Sequence, residues 1–176
     1  NFVFYDDKGT VLGYQYPKPC QLTAWRFVHY EDTIALDDKY KNCAKIVMQV
    51  ITNDDKPIKE IMLTAVSLKL DFDDNKNDKI ISNGDFATGS ILPAYSSTED
   101  TNLYVSNYLN RKWLTITSQG SSQYKGACWN IDRQNGEIFG YPLTLSFDVQ
   151  SAEDVTFGIN FVFYDDKGTV LGYQYP

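Results

Sequence analysis

A short run of oxygen-bearing side chains in the segment DFDDNKNDKII is the first candidate for chemistry. These side chains alternate, which is how the first half of a D-x-N-x-N calcium loop presents its ligands, and a further acid follows near the closing position. The predicted calcium ligands are Asp73, Asn75, Asn77 and Asp85. The alternative interpretation is a solvated polar loop between two strands.

A second candidate lies in residues 121–141, where aromatic rings stand among planar polar groups. Sugar recognition uses rings that stack on pyranose faces, together with amide, carboxylate or guanidinium groups that bond the hydroxyls. The predicted glycan-binding residues are Tyr124, Trp129, Asp132, Arg133 and Asn135. The alternative is that Trp129 packs at the end of a hairpin. Trp25 and Trp113 fall within strand-like patterns and are predicted to lie in the core.

Catalytic patterns are weak. His29 is the one histidine of the chain, and it alternates with Val28 and Tyr30 in a strand-like run, which favours a structural role. The sequence contains no glycine-rich phosphate loop, and its paired acids lie in charged, turn-like clusters. We therefore predict that the protein is not an enzyme.

Three cysteines, Cys20, Cys43 and Cys128, lack the spacing of a zinc site. Cys20 and Cys43 fall on two early predicted strands, and a disulfide between them would staple these strands in an oxidising compartment. Cys128 would then remain as an odd thiol. The alternative is three buried, reduced cysteines.

Charge and hydropathy exclude two classes of partner. The formal net charge is −7, which would repel the phosphate backbone of nucleic acids. Apolar runs such as Ile61 to Val66 are far shorter than the roughly 20 residues that span a bilayer. We predict neither a nucleic-acid partner nor a membrane span.

The elements that must position these residues are strands. Leu143, Leu145, Phe147 and Val149 alternate with polar residues, as on a strand with one buried face. A second alternating row comprises Val155, Phe157, Ile159, Phe161 and Phe163. Only residues 101–109 suggest a short helix. The sequence predicts an all-β fold, a two-sheet antiparallel β-sandwich of immunoglobulin-like or jelly-roll type.

The same sequence, NFVFYDDKGTVLGYQYP, occupies residues 1–17 and residues 160–176. Each copy reads as a β-hairpin with a four-residue turn, and residues 18–176 are predicted to form one domain that ends in the second copy. A fold offers one groove for a given strand pattern, so one copy is surplus. The chain is an assembling subunit, a period of a tandem array, or a fold to which a terminal strand was copied.

These ends resemble subunits of bacterial fimbriae and related adhesins, through the terminal copy, the run VTFGINFVFY, the early Cys20 and Cys43, and Tyr175 next to the last residue. The resemblance implies a sandwich completed by a strand from a neighbouring copy, at the cell surface or outside the cell. The predicted strand-donating residues are Phe2, Phe4, Val11, Phe161, Phe163 and Val170. The leading functional prediction is a structural or adhesive subunit with copies of itself as partners. The alternative is a carbohydrate-binding module with a host or cell-surface glycan as partner.

Overall fold

The structure is a computed structural model of the chain. It describes residues 2–5, 11–15, 20–70, 80–131 and 138–174, and for the first two of these ranges it describes the backbone alone. The predicted all-β class is confirmed, because the described residues form strands and one short 3-10 helix, Asp38–Tyr40.

One sheet has six strands. Five of them lie side by side in the order β13-β12-β5-β10-β7. The sixth, β3, pairs with the same edge of β12 as β13 does, but with the other end of that strand. Every pairing in it is antiparallel. Its strands are β3 (Cys20–Leu22), β5 (Lys45–Thr52), β7 (Tyr95–Ser96), β10 (Gly126–Ile131), β12 (Val155–Tyr164) and β13 (Val170–Gln174).

The second sheet has five antiparallel strands in the order β4-β11-β6-β9-β8. Its strands are β4 (Val28–Ala35), β6 (Ile61–Leu70), β8 (Thr101–Tyr108), β9 (Arg111–Ser118) and β11 (Pro142–Ser151). The suggested helix at residues 101–109 is wrong, because β8 pairs with β9 along its whole length in a hairpin that turns at Leu109 and Asn110. The positive φ angles of these two residues, 48° and 60°, suit a tight hairpin turn.

The two sheets pack face to face, as the predicted sandwich requires. Alternate residues of β11 point inward, and Leu143, Leu145, Phe147 and Val149 are fully buried. They meet the inward row of β12 from the other sheet, for example where the rings of Phe147 and Phe157 lie 5.8 Å apart. The period-2 pattern of the sequence therefore located the core correctly.

The first copy of the repeat forms a separate two-stranded sheet, β1 (Phe2–Tyr5) paired with β2 (Val11–Gln15). Phe2 lies opposite Gln15, and the register shifts between Phe4 and Tyr5. In the second copy, Phe161 lies opposite Gln174, and the register shifts at the equivalent place. The two copies therefore adopt the same hairpin.

Candidate functional site

The site that the repeat defines is the groove filled by its second copy. Strand β5 forms one wall, since residues Lys45 to Met48 pair with Tyr164 to Phe161 of β12. Residues 35–44, which lead into β5, close the groove around the repeated segment through contacts described below. We call this place, lined by Ala35, Asp37, Tyr40 and β5, the hairpin groove.

Two phenylalanines of the second copy are core residues. Phe161 and Phe163 are both fully buried, as the alternating row predicted. The ring of Phe163 stacks on the ring of Tyr40 with centroids 4.1 Å apart, and Phe139 contacts it from a second direction at 6.2 Å. Removing either phenylalanine from the groove would leave a cavity worth about 3–5 kcal/mol.

Strand β13 is held by a close approach and by two hydrogen bonds. A Cβ atom placed on Gly172 would lie 2.1 Å from the Tyr40 hydroxyl, so the groove has no room for a side chain there. The Gln174 side chain accepts a hydrogen bond from the Asp37 backbone N–H at 2.7 Å and donates one to the Ala35 carbonyl. The groove therefore selects a small residue and an amide at defined positions.

The outer face of β12 is also covered. Val162 packs with Val47 and Cys128 in a small second cluster of buried residues. Beside it, the buried Asn160 amide donates to the Gln49 side chain at 2.8 Å, while its Oδ1 has no partner. Strand β12 thus contributes to packing on both faces, which fixes its register in the sheet.

The four-residue turn predicted for each copy is present in the second copy at residues 165–168. Asp165 accepts hydrogen bonds from the backbone N–H groups of Lys167 and Thr169, and Gly168 has a positive φ of 79°. Of the predicted strand-donating residues, Phe161 and Phe163 occupy the core and Val170 is 40% exposed at the start of β13. Phe2, Phe4 and Val11 lie on the described backbone of β1 and β2, and their side chains lie outside the description.

The predicted glycan site is wrong at Trp129. This side chain is fully buried because β10 is an inner strand between β5 and β7, so its ring cannot stack on a sugar. Tyr124 is exposed, and Asp132, Arg133 and Asn135 lie outside the described residues. Periodicity would have indicated the burial of Trp129, since it continues an alternation with Ala127 and Ile131.

Exposed aromatic residues lie elsewhere, near one end of the five-stranded sheet. Trp25, predicted to be core, is instead 63% exposed and has a positive φ of 62°. Its backbone N–H donates to the Ser151 carbonyl at 2.7 Å, and its carbonyl accepts from Gln150. Nearby in the sequence, Phe27 contacts Tyr108 and the buried Trp113, with ring centroids 6.0 and 5.6 Å away. The sequence pattern did not show that Trp25 is exposed while Trp113 is buried, because both residues lie in strand-like runs.

The calcium prediction stays a prediction. Asp73, Asn75 and Asn77 lie outside the described residues, and the exposed Asp85 accepts a hydrogen bond from the Ala87 backbone N–H. Within the described part of the chain, no group of three acids, histidines or cysteines is placed to hold a metal ion.

The predicted Cys20–Cys43 disulfide is not formed. Cys20 lies opposite Phe157 on β12, whereas the residue after Cys43 donates to the carbonyl of Tyr164. Seven residue steps of β12 lead from Phe157 to Tyr164, which is about 24 Å of strand, and a disulfide needs Cα atoms within about 7 Å. The alternative interpretation of three buried, reduced cysteines is the one that the structure supports.

His29 belongs to an exposed charged group on β4. Its Nδ1 lies 2.7 Å from Asp148, which Arg111 also approaches at 3.4 Å, and the hydrogen bond to Asp148 raises the pKa of His29. No described serine or cysteine contacts the ring in a hydrogen bond, so the geometry is that of a surface ion pair.

Comparison with protein-family models, with curated proteins and with solved structures gives no match. The described residues contain no helix of the length and apolar character needed to cross a bilayer. The fold places the protein in the structural class of two-sheet antiparallel β-sandwiches, here with a repeated hairpin.

Proposed function

We propose that this protein is a structural or adhesive subunit that assembles with copies of itself by exchanging the repeated hairpin. The observation that carries the proposal is that one copy fills the hairpin groove while an identical copy forms a sheet of its own. A location outside the cell is part of the proposal and rests on the resemblance to fimbrial subunits.

The surplus copy gains stability when it docks in a groove. An isolated two-stranded hairpin is marginally stable in water, whereas the docked copy buries Phe161 and Phe163 completely. Docking therefore converts a marginal element into part of a core. The partner that provides a matching surface is the hairpin groove of a second copy.

Exchange between chains is energetically inexpensive once a hairpin leaves its groove, because an identical hairpin restores the same contacts. The barrier is the loss of those contacts while the groove is vacant. We therefore expect a closed monomer in dilute solution, and exchange at high local density or near the onset of melting.

The experiment compares the full chain with Phe2→Ala/Phe4→Ala after incubation at high protein concentration just below the melting transition, followed by cooling. Analytical ultracentrifugation should show oligomers of the full chain and fewer of the variant. Leu12→Ser is the matched control, because the equivalent Leu171 is 49% exposed, whereas Phe161 and Phe163 are fully buried. Equal oligomer populations in all three proteins, or none in any, would contradict the proposal.

The exposed aromatic residues favour glycan binding as a second candidate function. Trp25 presents a largely exposed ring whose backbone is held at both polar groups, and Phe27 and Tyr108 add ring area on the same sheet. Such rings suit stacking on sugar faces. Glycan-array binding that disappears in Trp25→Ala and survives in Tyr124→Ala would support it. An array without any bound glycan would remove it.

A further inference from the structure

Two strands lie end to end along one edge of β12. Strand β13 pairs with the second half of β12, where Gln174 lies opposite Phe161. Strand β3 pairs with the first half, where Cys20 lies opposite Phe157. Both run antiparallel to β12, so β3 continues the line and the direction of β13.

This arrangement matters because β3 directly follows the first copy of the repeat. Gln15 is the equivalent of Gln174, and five residue steps join it to Cys20. On β12, the four steps from Phe161 to Phe157 span about 14 Å, and five steps of extended chain reach about 17 Å. If β2 took the place of β13, the covalent connection to β3 would fit with one residue to spare, as in a β-bulge.

The first copy is also shaped for the groove. Its two strands pair in the register of β12 and β13, with the same shift beside Phe4 that the second copy has beside Phe163. It also carries the two residues that contact the groove from β13. Gly13 is equivalent to Gly172, and Gln15 is equivalent to Gln174. In the exchanged arrangement β1 would pair with β5 in place of Phe161 to Tyr164.

We propose that the hairpin groove accepts either copy within one chain, and that entry of the N-terminal hairpin along the β3 edge releases residues 160–176 to dock on a second copy of the protein. The inference deepens the proposed function, on which it rests, by naming the segment that is donated. The chain that donates its C-terminal hairpin keeps a filled groove, so it exposes neither β5 nor the core.

The first test is a thermal melting cycle on the full chain. Phe2→Ala/Phe4→Ala should leave the midpoint nearly unchanged, and Phe161→Ala/Phe163→Ala should lower it by a few degrees because the intact N-terminal hairpin takes over. Changing all four should lower it by more than about 10 °C, or prevent folding, because neither copy then fills the core. If Phe161→Ala/Phe163→Ala alone loses as much as the fourfold variant, the N-terminal copy does not enter the groove.

The second test detects occupancy directly. Gln174 bonds the Ala35 carbonyl, so Gln15→Cys should come within reach of Ala35→Cys when the N-terminal copy is docked. We expect a short bis-maleimide to join them within one chain of the Phe161→Ala/Phe163→Ala variant, and Gln174→Cys with Ala35→Cys serves as the positive control. A cross-link between two chains supports exchange between copies but overturns entry within one chain. Absence of any cross-link overturns this inference, while the concentration-dependent oligomers still test the proposed function.

Discussion

The ring of Phe163 lies parallel to the ring of Tyr40, with 10° between the planes and 4.1 Å between the centroids. Phe163 belongs to the repeated segment, whereas Tyr40 ends the 3-10 helix Asp38–Tyr40 that precedes β5. Asp37 caps this helix by accepting from the Lys39 backbone N–H. The short helix thus positions the Tyr40 ring that contacts the hairpin in the groove.

Tyr40→Ala should lower the free energy of unfolding by about 1–3 kcal/mol, because a half-buried ring and its stacking partner are lost. Either hairpin would meet the same defect, so exchange cannot compensate for it. Urea unfolding measures the loss. Tyr173→Ala, at an exposed position of β13, is the control and should stay within about 0.5 kcal/mol of the parent. Equal losses would mean that Tyr40 is not a wall of the groove.

Gly172→Ala should shift the groove toward the N-terminal copy. Its new Cβ would meet the edge of the Tyr40 ring, with the hydroxyl at 2.1 Å and Cζ at 2.7 Å. We expect more cross-linking between positions 15 and 35 in this variant than in Gly13→Ala. The double variant should be destabilised by about 1–3 kcal/mol, since both occupants are then overpacked. Identical cross-linking in the two single variants would contradict the selectivity for glycine.

The pKa of His29 should lie above its ordinary value of 6.5, because the hydrogen bond to Asp148 favours the charged ring. A raised folded-state pKa means that the pair stabilises the fold fully below pH 6.5 and loses this effect as pH rises through the folded-state pKa. The contribution is small, since the ring is exposed. NMR titration of the parent and of Asp148→Asn tests it, and an unshifted parent or an unchanged Asp148→Asn value would contradict the pairing.

Reducing agent should leave the melting temperature unchanged, because no disulfide joins Cys20 to Cys43. Burial raises the pKa of Cys128 to about 11 and also raises that of Cys20, so few thiolates form near neutral pH. Ellman's reagent should therefore react slowly with these two residues in the folded protein and quickly after unfolding. A large drop in melting temperature on reduction, as when a disulfide worth 2–5 kcal/mol is lost, would restore the original prediction.

Periodicity predicted the core strands well, because a strand with one buried face must alternate, as Leu143 to Val149 do. It did not predict β8, where Tyr104, Asn107 and Tyr108 are exposed on an edge strand and the burial signal is weak. The sequence predicted only some of the residues that form the hairpin groove and its occupant. Phe161 and Phe163 follow from the pattern, but Tyr40, Asp37 and Ala35 reach the hairpin through long-range contacts that local sequence does not encode.

The exposed residues of β13 show how far the identity of the two copies extends. Val170, Leu171 and Tyr173 are each 40–49% exposed, yet Val11, Leu12 and Tyr14 match them without a difference. The groove contacts the phenylalanines, the glycine and the glutamine of a docked hairpin, and it places little constraint on the half-exposed residues. Identity at exposed and buried positions alike is therefore more than docking in the groove requires. A copy with other residues at these exposed positions would still present the phenylalanines, the glycine and the glutamine that dock in the groove.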